Sequence, residues 1–316
     1  MNVTEVQRRL LELCAIRVEQ ASVDWSLIAR QAQFDGGLED LWRGVTSEKS
    51  AAAKRSAIAL RRGLRDPASL ARKVEAELEA AAQAGARLIT VLDQEYPANL
   101  RLIPNLPPFL FYLGELRDAD ALAVAVVGTR TASDDGLCRA ARMSRLLAGH
   151  GVTVVSGLAK GIDTAAHDAA LTSGGRTIAV LGTGITQCYP EQNRDLARKI
   201  TTGGALVSQF WPSRPPRKDG FPRRNVVTSG LSQGTVVIEA SNTSGARMQA
   251  RIALDHGKQV FLLKSLVTGQ PWARDYVDNR GAIEVSDVDE VITRLAPPER
   301  IMQATAQQQQ LSLMPL

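Results

Sequence analysis

The spacing of apolar residues changes near residue 85. Before it the pattern is helical: Leu10, Leu11, Cys14 and Ile16 open a stripe, and 70–84 is rich in Ala, Glu and Leu with its charges on one face. Gly36-Gly37 and Asp66-Pro67 mark turns. These features predict a small helical packing domain over 1–84. From Arg87 onward, short apolar runs take over at 88–92, 109–114, 123–127, 152–155, 177–181, 206–207, 236–238, 260–263 and 282–285. Helices are expected between them, near 135–149, 163–172, 191–200, 224–232, 245–256 and 287–295. Near-continuous apolar runs alternating with helices predict an α/β domain over 85–296, its mainly parallel sheet covered on both faces. Pro297-Pro298 and the glutamines at 307–310 make 297–316 a low-complexity tail, expected to be mobile.

Composition narrows the classes. With 44% hydrophobic and 22% charged residues in 316, the chain can bury a sizeable core, and 4% aromatics imply a core of Ala, Val, Leu and Ile. No stretch reaches the roughly 18 apolar residues of a membrane helix, and 1–5 carries no signal-peptide pattern. Three scattered cysteines, Cys14, Cys138 and Cys188, form neither a disulfide framework nor a Cys-x-x-Cys pair, so a cytoplasmic location is expected. Three scattered histidines, His150, His167 and His256, argue against a multi-histidine metal centre. No metal or cofactor is expected.

The net charge is +5, but 210–225 alone holds Arg214, Arg217, Lys218, Arg223 and Arg224 against one acid, Asp219. A generally basic coat is excluded, whereas a local anion contact is not. Ligands of an open parallel sheet bind beyond the carboxyl ends of its strands. There the sequence places Gly128-Thr129-Arg130, then Ser156-Gly157-Leu158-Ala159-Lys160-Gly161, Gly182-Thr183-Gly184, the basic loop, and Glu239-Ala240-Ser241-Asn242-Thr243-Ser244-Gly245. Glycine lets a backbone approach its ligand, helix N-termini favour anions, and Arg and Lys add donors, so the turns converge on a phosphate-binding rim. Each glycine turn alone is better read as a tight strand-to-helix connection. Phe221, between Lys218 and Arg223-Arg224, either stacks on an unpaired base or plugs into the core. Neither a Gly-x-Gly-x-x-Gly after the first parallel strand nor a Gly-Lys-Ser/Thr motif is present, which argues against nicotinamide and P-loop chemistry.

Four longer motifs add to this. They are Ser-Gly-Leu-Ala-Lys-Gly-Ile-Asp-x-x-Ala-His at 156–167; 177–182 followed by Tyr189-Pro190 and Asn193; Phe221-Pro222-x-Arg224-Asn225 with Gly230-Leu231-Ser232; and Val237-Ile238-Glu239-Ala240 with Ser244-Gly245. Together, over roughly 88–292, they resemble the DprA/Smf family of DNA-processing proteins. The resemblance implies an extended Rossmann-like, doubly wound domain that binds single-stranded DNA, dimerises, and hands single strands to the RecA recombinase during transformation. By position it implies nucleic-acid contacts at Arg130, Ser156, Gly157, Lys160, Lys218, Phe221, Arg224, Asn225, Asn242 and Ser244, with Arg223 beside them. It implies no enzymatic activity. His167, four residues past Asp163, is expected to be structural. The surface over 235–292 is expected to carry the dimer contact.

The chain also departs from the family pattern. Val226 stands where a second arginine is usual, Ser208-Gln209 replaces Ser-Glu, and Ser244-Gly245-Ala246-Arg247-Met248-Gln249-Ala250 alters a Ser-Gly-Ser/Thr-Leu-x-Thr-Ala segment. Lys264-Ser265-Leu266 replaces Pro-Gly. A C-terminal winged helix does not fit after 296, and the N-terminal region carries no Gly-x-Gly helix–hairpin–helix signature. Two other functions stay open on these residues. One is a DNA-binding regulatory or antitoxin component acting on a toxin or effector partner in a phage-defence or toxin–antitoxin module. The other is a nucleotide phosphoribohydrolase, although Glu239 to Gly245 lacks the Pro-Gly-Gly-x-Gly-Thr-x-x-Glu turn.

Overall fold

The computed structural model describes residues 2–19 and 21–312. Five helices come first: α1 (Glu5–Ala15), α2 (Trp25–Gln31), α3 (Gly37–Trp42), α4 (Ala51–Gly63) and α5 (Pro67–Gln83). Their starts are encoded locally. Thr4 and Gln7 form a capping box on α1, and Asp66 accepts from the Ser69 amide at 3.0 Å with Pro67 in the first turn of α5.

Among the described residues nine strands form one sheet. They are β1 (Arg87–Thr90), β2 (Phe109–Gly114), β3 (Ala123–Val127), β4 (Thr153–Ser156), β5 (Thr177–Val180), β6 (Ala205–Ser208), β7 (Gly234–Val237), β8 (Gln259–Leu263) and β9 (Ile283–Val285). Their order is β1-β2-β6-β5-β4-β3-β7-β8-β9. The seven strands from β6 to β9 pair in parallel, while β1 and β2 add an antiparallel edge. Every residue of β3 to β7 is buried, as the unbroken apolar runs predict for strands covered on both faces.

The remaining helices are α6 (Ala98–Arg101), α7 (Asp134–Gly149), α8 (Ile162–Thr172), α9 (Arg194–Gly203), α10 (Gly220–Leu231), α11 (Gly245–Asp255), α12 (Lys264–Gly269), α13 (Pro271–Arg280), α14 (Asp289–Ile292) and α15 (Pro298–Ser312). Helix α8 packs on both α7 and α9, whereas α10 packs on α11. The chain runs outward from β3 through β4 and β5 to β6, then returns on α10 to place β7 on the other side of β3. Strands β3 and β7 therefore flank the switch point of a doubly wound, Rossmann-like sheet.

Four elements differ from the sequence expectation. Helix α10 begins at Gly220 rather than near 224, because Pro222 sits in its first turn, where no backbone donor is required. Helices α12 and α13 occupy a stretch without a clear helical period. The tail expected to be mobile forms α15 over its described part, and its last four residues, 313–316, lie outside the described residues. Glutamine is a good helix former, and Thr305 is buried with its hydroxyl 3.2 Å from the Ala98 carbonyl. The Gln233 amide brackets Ala296 at the start of this segment, bonding both its N–H and its carbonyl at 2.8 Å.

The helices of 1–84 share one continuous core with the sheet. Trp25 packs on Phe109 and Trp211 at ring separations of 5.1 and 6.3 Å, and Arg30 donates to the Pro104 carbonyl. Glu77 accepts from the Ser213 amide, tying α5 to the basic loop.

Candidate nucleic-acid interface

A cavity of about 390 Å³ opens at the switch point. Its walls are the turns after β3, β4 and β7 and the first turns of α10, which contribute Arg130, Gly157, Asp163, Phe221, Arg224, Asn225, Ser244 and Gln249.

The turn after β4 is organised by Asp163. Its carboxylate accepts from the amides of Gly157 and Ala159 at 3.1 and 3.3 Å, across a bend in which Leu158 takes a φ of 59°. A buried leucine in the left-handed region is held there by its surroundings; its carbonyl accepts from the Asn193 side chain at 2.9 Å. The bend turns Gly157 toward α10, where a Cβ would lie 1.3 Å from the Arg224 Nη1. Only glycine leaves room for that guanidinium.

Arg224 is therefore not an exposed phosphate clamp, as a position in a basic loop suggests. It is 8% exposed, with Nη1 3.2 Å from the Val180 carbonyl and 4.0 Å from the Asp163 carboxylate. Burial pulls its pKa down, against the pull of Asp163 and with help from Arg130. Burial likewise raises the pKa of Asp163, against Arg224 and the backbone donors. The pair forms a charged floor under the cavity.

Phe221 lies half-buried on the first turn of α10, its ring 2.8 Å from where a Cβ on Gly182 would sit. The Arg130 guanidinium stands 5.0 Å over its ring, and Tyr189 leans on it at 5.7 Å. The aromatic face that suited a base thus carries a cation from the same rim. A guanidinium over an aromatic ring gains on the order of 0.5–1 kcal/mol at an exposed site, so a ligand can displace it at low cost.

On the β7 side, Ser244 caps α11, accepting from the Ala246 amide at 3.2 Å. Glu239 holds the neighbouring turn: it accepts from the Ser133 hydroxyl at 2.6 Å, and its carbonyl accepts from the Thr129 amide at 2.8 Å.

Of the residues expected from sequence, Arg130, Gly157, Phe221, Arg224, Asn225 and Ser244 line the cavity. Ser156, Lys160, Lys218, Arg223 and Asn242 do not. Ser156 is fully buried, its hydroxyl donating to the Val126 carbonyl at 2.7 Å. Lys160 and Lys218 extend into solvent on the surrounding rim. Arg223 points toward the N-terminal helices, stacked over Trp25 at 5.2 Å and Phe210 at 5.1 Å. The Asn242 side chain is exposed and bonded to Arg247. Val226 is half-buried against the core. His167 is fully buried, with Nδ1 2.7 Å from the Thr177 hydroxyl, which itself donates to Val154. Among the described residues no cluster of three or more His, Cys, Asp or Glu could hold a metal, and no helix is long and apolar enough to cross a membrane.

The profile of the family described as DNA recombination-mediator protein A matches residues 87–296. The chain belongs to this family. It is 39% identical over 227 residues to Protein Smf of Escherichia coli, covering 71% of this chain and 60% of that protein. It is 38% identical over 206 residues to DNA processing protein DprA of Streptococcus pneumoniae, covering 64% of this chain and 72% of that protein. A further match, to Protein Smf of Synechocystis, spans 48% of that relative, so the chain accounts for about half to three-fifths of the first relatives' length. The solved structure of the S. pneumoniae DprA superposes with a TM-score of 0.70 at 29% identity, covering 94% of this chain and 99% of that one. The DprA of Helicobacter pylori, solved for its single-stranded DNA binding mode, superposes at 0.59 with 24% identity over 66% of this chain and 94% of its own, and supports the fold alone. Family and fold thus agree: the matched residues form a Rossmann-like core that superposes on the S. pneumoniae DprA.

Three residues that build the site escaped the sequence reading: Asp163, which lines the cavity, Glu239, which holds the turn beside it, and Gln249, which lines the cavity. The first two lay inside quoted motifs, but acids are not an expected part of a phosphate rim. Gln249 gave no signal beyond its departure from the family pattern.

Proposed function

We propose that the chain binds single-stranded DNA at this cavity without catalysing a reaction on it, and serves recombination by presenting the strand to a recombinase such as RecA. One observation carries the reading: at the switch point a cation–aromatic pair, Arg130 over Phe221, sits above a buried guanidinium, Arg224, beside the capped start of α11. Phosphates are drawn to Arg130, Lys160 and Lys218 on the rim, with the Arg224 guanidinium fixed below. Arg130 leaves the ring when it takes a phosphate, which frees the Phe221 face for a base. The single-stranded DNA binding named for the H. pylori relative is consistent with this ligand class. A second copy of the chain as partner, through the surface over 235–292, belongs to the same proposal.

The test is fluorescence anisotropy with a short oligo-dT and a matched duplex at several salt concentrations. Stacking contributes about 1–3 kcal/mol per base, so Phe221→Ala weakens dT binding by about one to two decades. With three rim cations the slope of log affinity on log salt is about −2, and Lys218→Ala makes it shallower by about 0.7. Equal affinity for duplex and single strand, or a slope near zero, overturns the proposal.

A further inference from the structure

Gln249 stands out among the cavity residues. It is 2% exposed, on the second turn of α11, and neither its amide nitrogen nor its amide oxygen has a hydrogen-bond partner among the described residues. Arg224 Nε, across the same cavity, is equally buried and unpartnered. Buried carboxamides are ordinarily satisfied, because leaving both a donor and an acceptor unpaired is expensive. Gln249 lines the cavity together with Phe221. A cost of this kind beside an open cavity is the mark of groups kept for a ligand. A carboxamide offers a donor and an acceptor side by side, the complement of a nucleobase edge, and adenine with its N6 donor next to N7 is the standard partner of Gln.

We propose that Gln249 is a base-reading residue: its carboxamide pairs in bidentate fashion with the edge of one nucleobase, adenine preferred, drawn into the cavity beside Phe221. This rests on the single-strand reading above but is separable from it. A base could equally be delivered by a free nucleotide, and the two sources share the same chemistry.

The experiment compares dA, dC and dT 12-mers and free dAMP, with wild type beside Gln249→Met, which keeps length and helix propensity but removes both polar atoms. A bidentate pair discriminates bases by between about fivefold and a hundredfold. Wild type is therefore expected to bind dA at least about fivefold more tightly than dT, and Gln249→Met to bring the homopolymers within about twofold of each other. Removing an unpaired buried amide should also raise the Tm of the unliganded protein by about 2 °C or more. Gln249→Thr, shorter and unable to pair in bidentate fashion, supplies the same binding comparison if the methionine fails to pack. An unchanged dA-to-dT ratio in the variants or no preference in wild type overturns the assignment. If wild type binds no oligonucleotide but binds dAMP, and the variants lose it, the base pocket stands and the single-strand reading falls. If wild type binds neither, both fall.

Discussion

Arg224 shows how a residue's chemistry follows from what surrounds it. Its sequence neighbours are cations and prolines, which suggests a solvated phosphate contact; its spatial neighbours are Asp163, Gly157 and the Val180 carbonyl. Removing one member of a buried ion pair strands the other, at a cost of about 3–5 kcal/mol. Arg224→Ala should therefore lower unfolding stability by about that amount in urea titrations, before any DNA is added. Removing both charges, as in Arg224→Met with Asp163→Asn, should recover much of it, because neither charge is then left unpaired in the interior and the Asn oxygen still accepts from the Gly157 and Ala159 amides. A double variant no more stable than the single one would show that the pair is held by other contacts. The sequence made the cation visible but not its partner, since Asp163 lies 61 positions away and meets Arg224 only through the bend at Leu158. Phe221 is the converse: an aromatic among cations was legible, whereas Arg130 over its face depends on two strand ends meeting at the switch point.

At the level of elements, legibility followed burial. Strands β3 to β8 and helices α7, α8 and α11 are regular because their apolar period is imposed by a sheet buried on both faces, and the sequence carries that period plainly. Helix α10 was displaced by four residues because a Phe-Pro pair reads as loop unless it falls in a first turn. Helix α15 was hidden by composition: a glutamine run lacks an apolar stripe, and among the described residues the helix is anchored by Thr305 against Ala98 and by packing on α6 and on the turn at 118–121. That anchor makes a sharp prediction. Thr305→Lys puts a charge into a buried contact and should detach α15 without unfolding the sheet. Limited proteolysis should then cut within 298–312 while a core fragment persists, and resistance equal to wild type would mean that α15 is held elsewhere.

For the whole molecule, the groups that shape the rim also set the response to acid. Burial, aided by Arg224, pushes the His167 pKa down to about 3, and burial pushes His256 down to about 4. In the unfolded chain both titrate near 6.5. Below that pH the unfolded state takes up protons that the native state refuses, so the stability from keeping these rings neutral is fully present above about pH 7. It is lost as pH falls from about 6.5 toward 4, at about 1.4 kcal/mol per pH unit for the fully buried His167 and at less than that for the partly solvated His256. Asp163 acts in the opposite sense: with its pKa raised, the native state protonates first as acid is added, which offsets part of the loss. Urea midpoints at pH 7.5, 6 and 5 should therefore fall steeply for wild type. His167→Leu removes one titrating ring but leaves Thr177 its bond to Val154, so its slope should be shallower by about 1.4 kcal/mol per unit. Parallel slopes for the two proteins would show that His167 is protonated in the native fold and that its environment is wetter than its burial indicates. The expected outcome ties acid sensitivity to the buried interior between α8 and α10, where Arg224 acts on both His167 and Asp163.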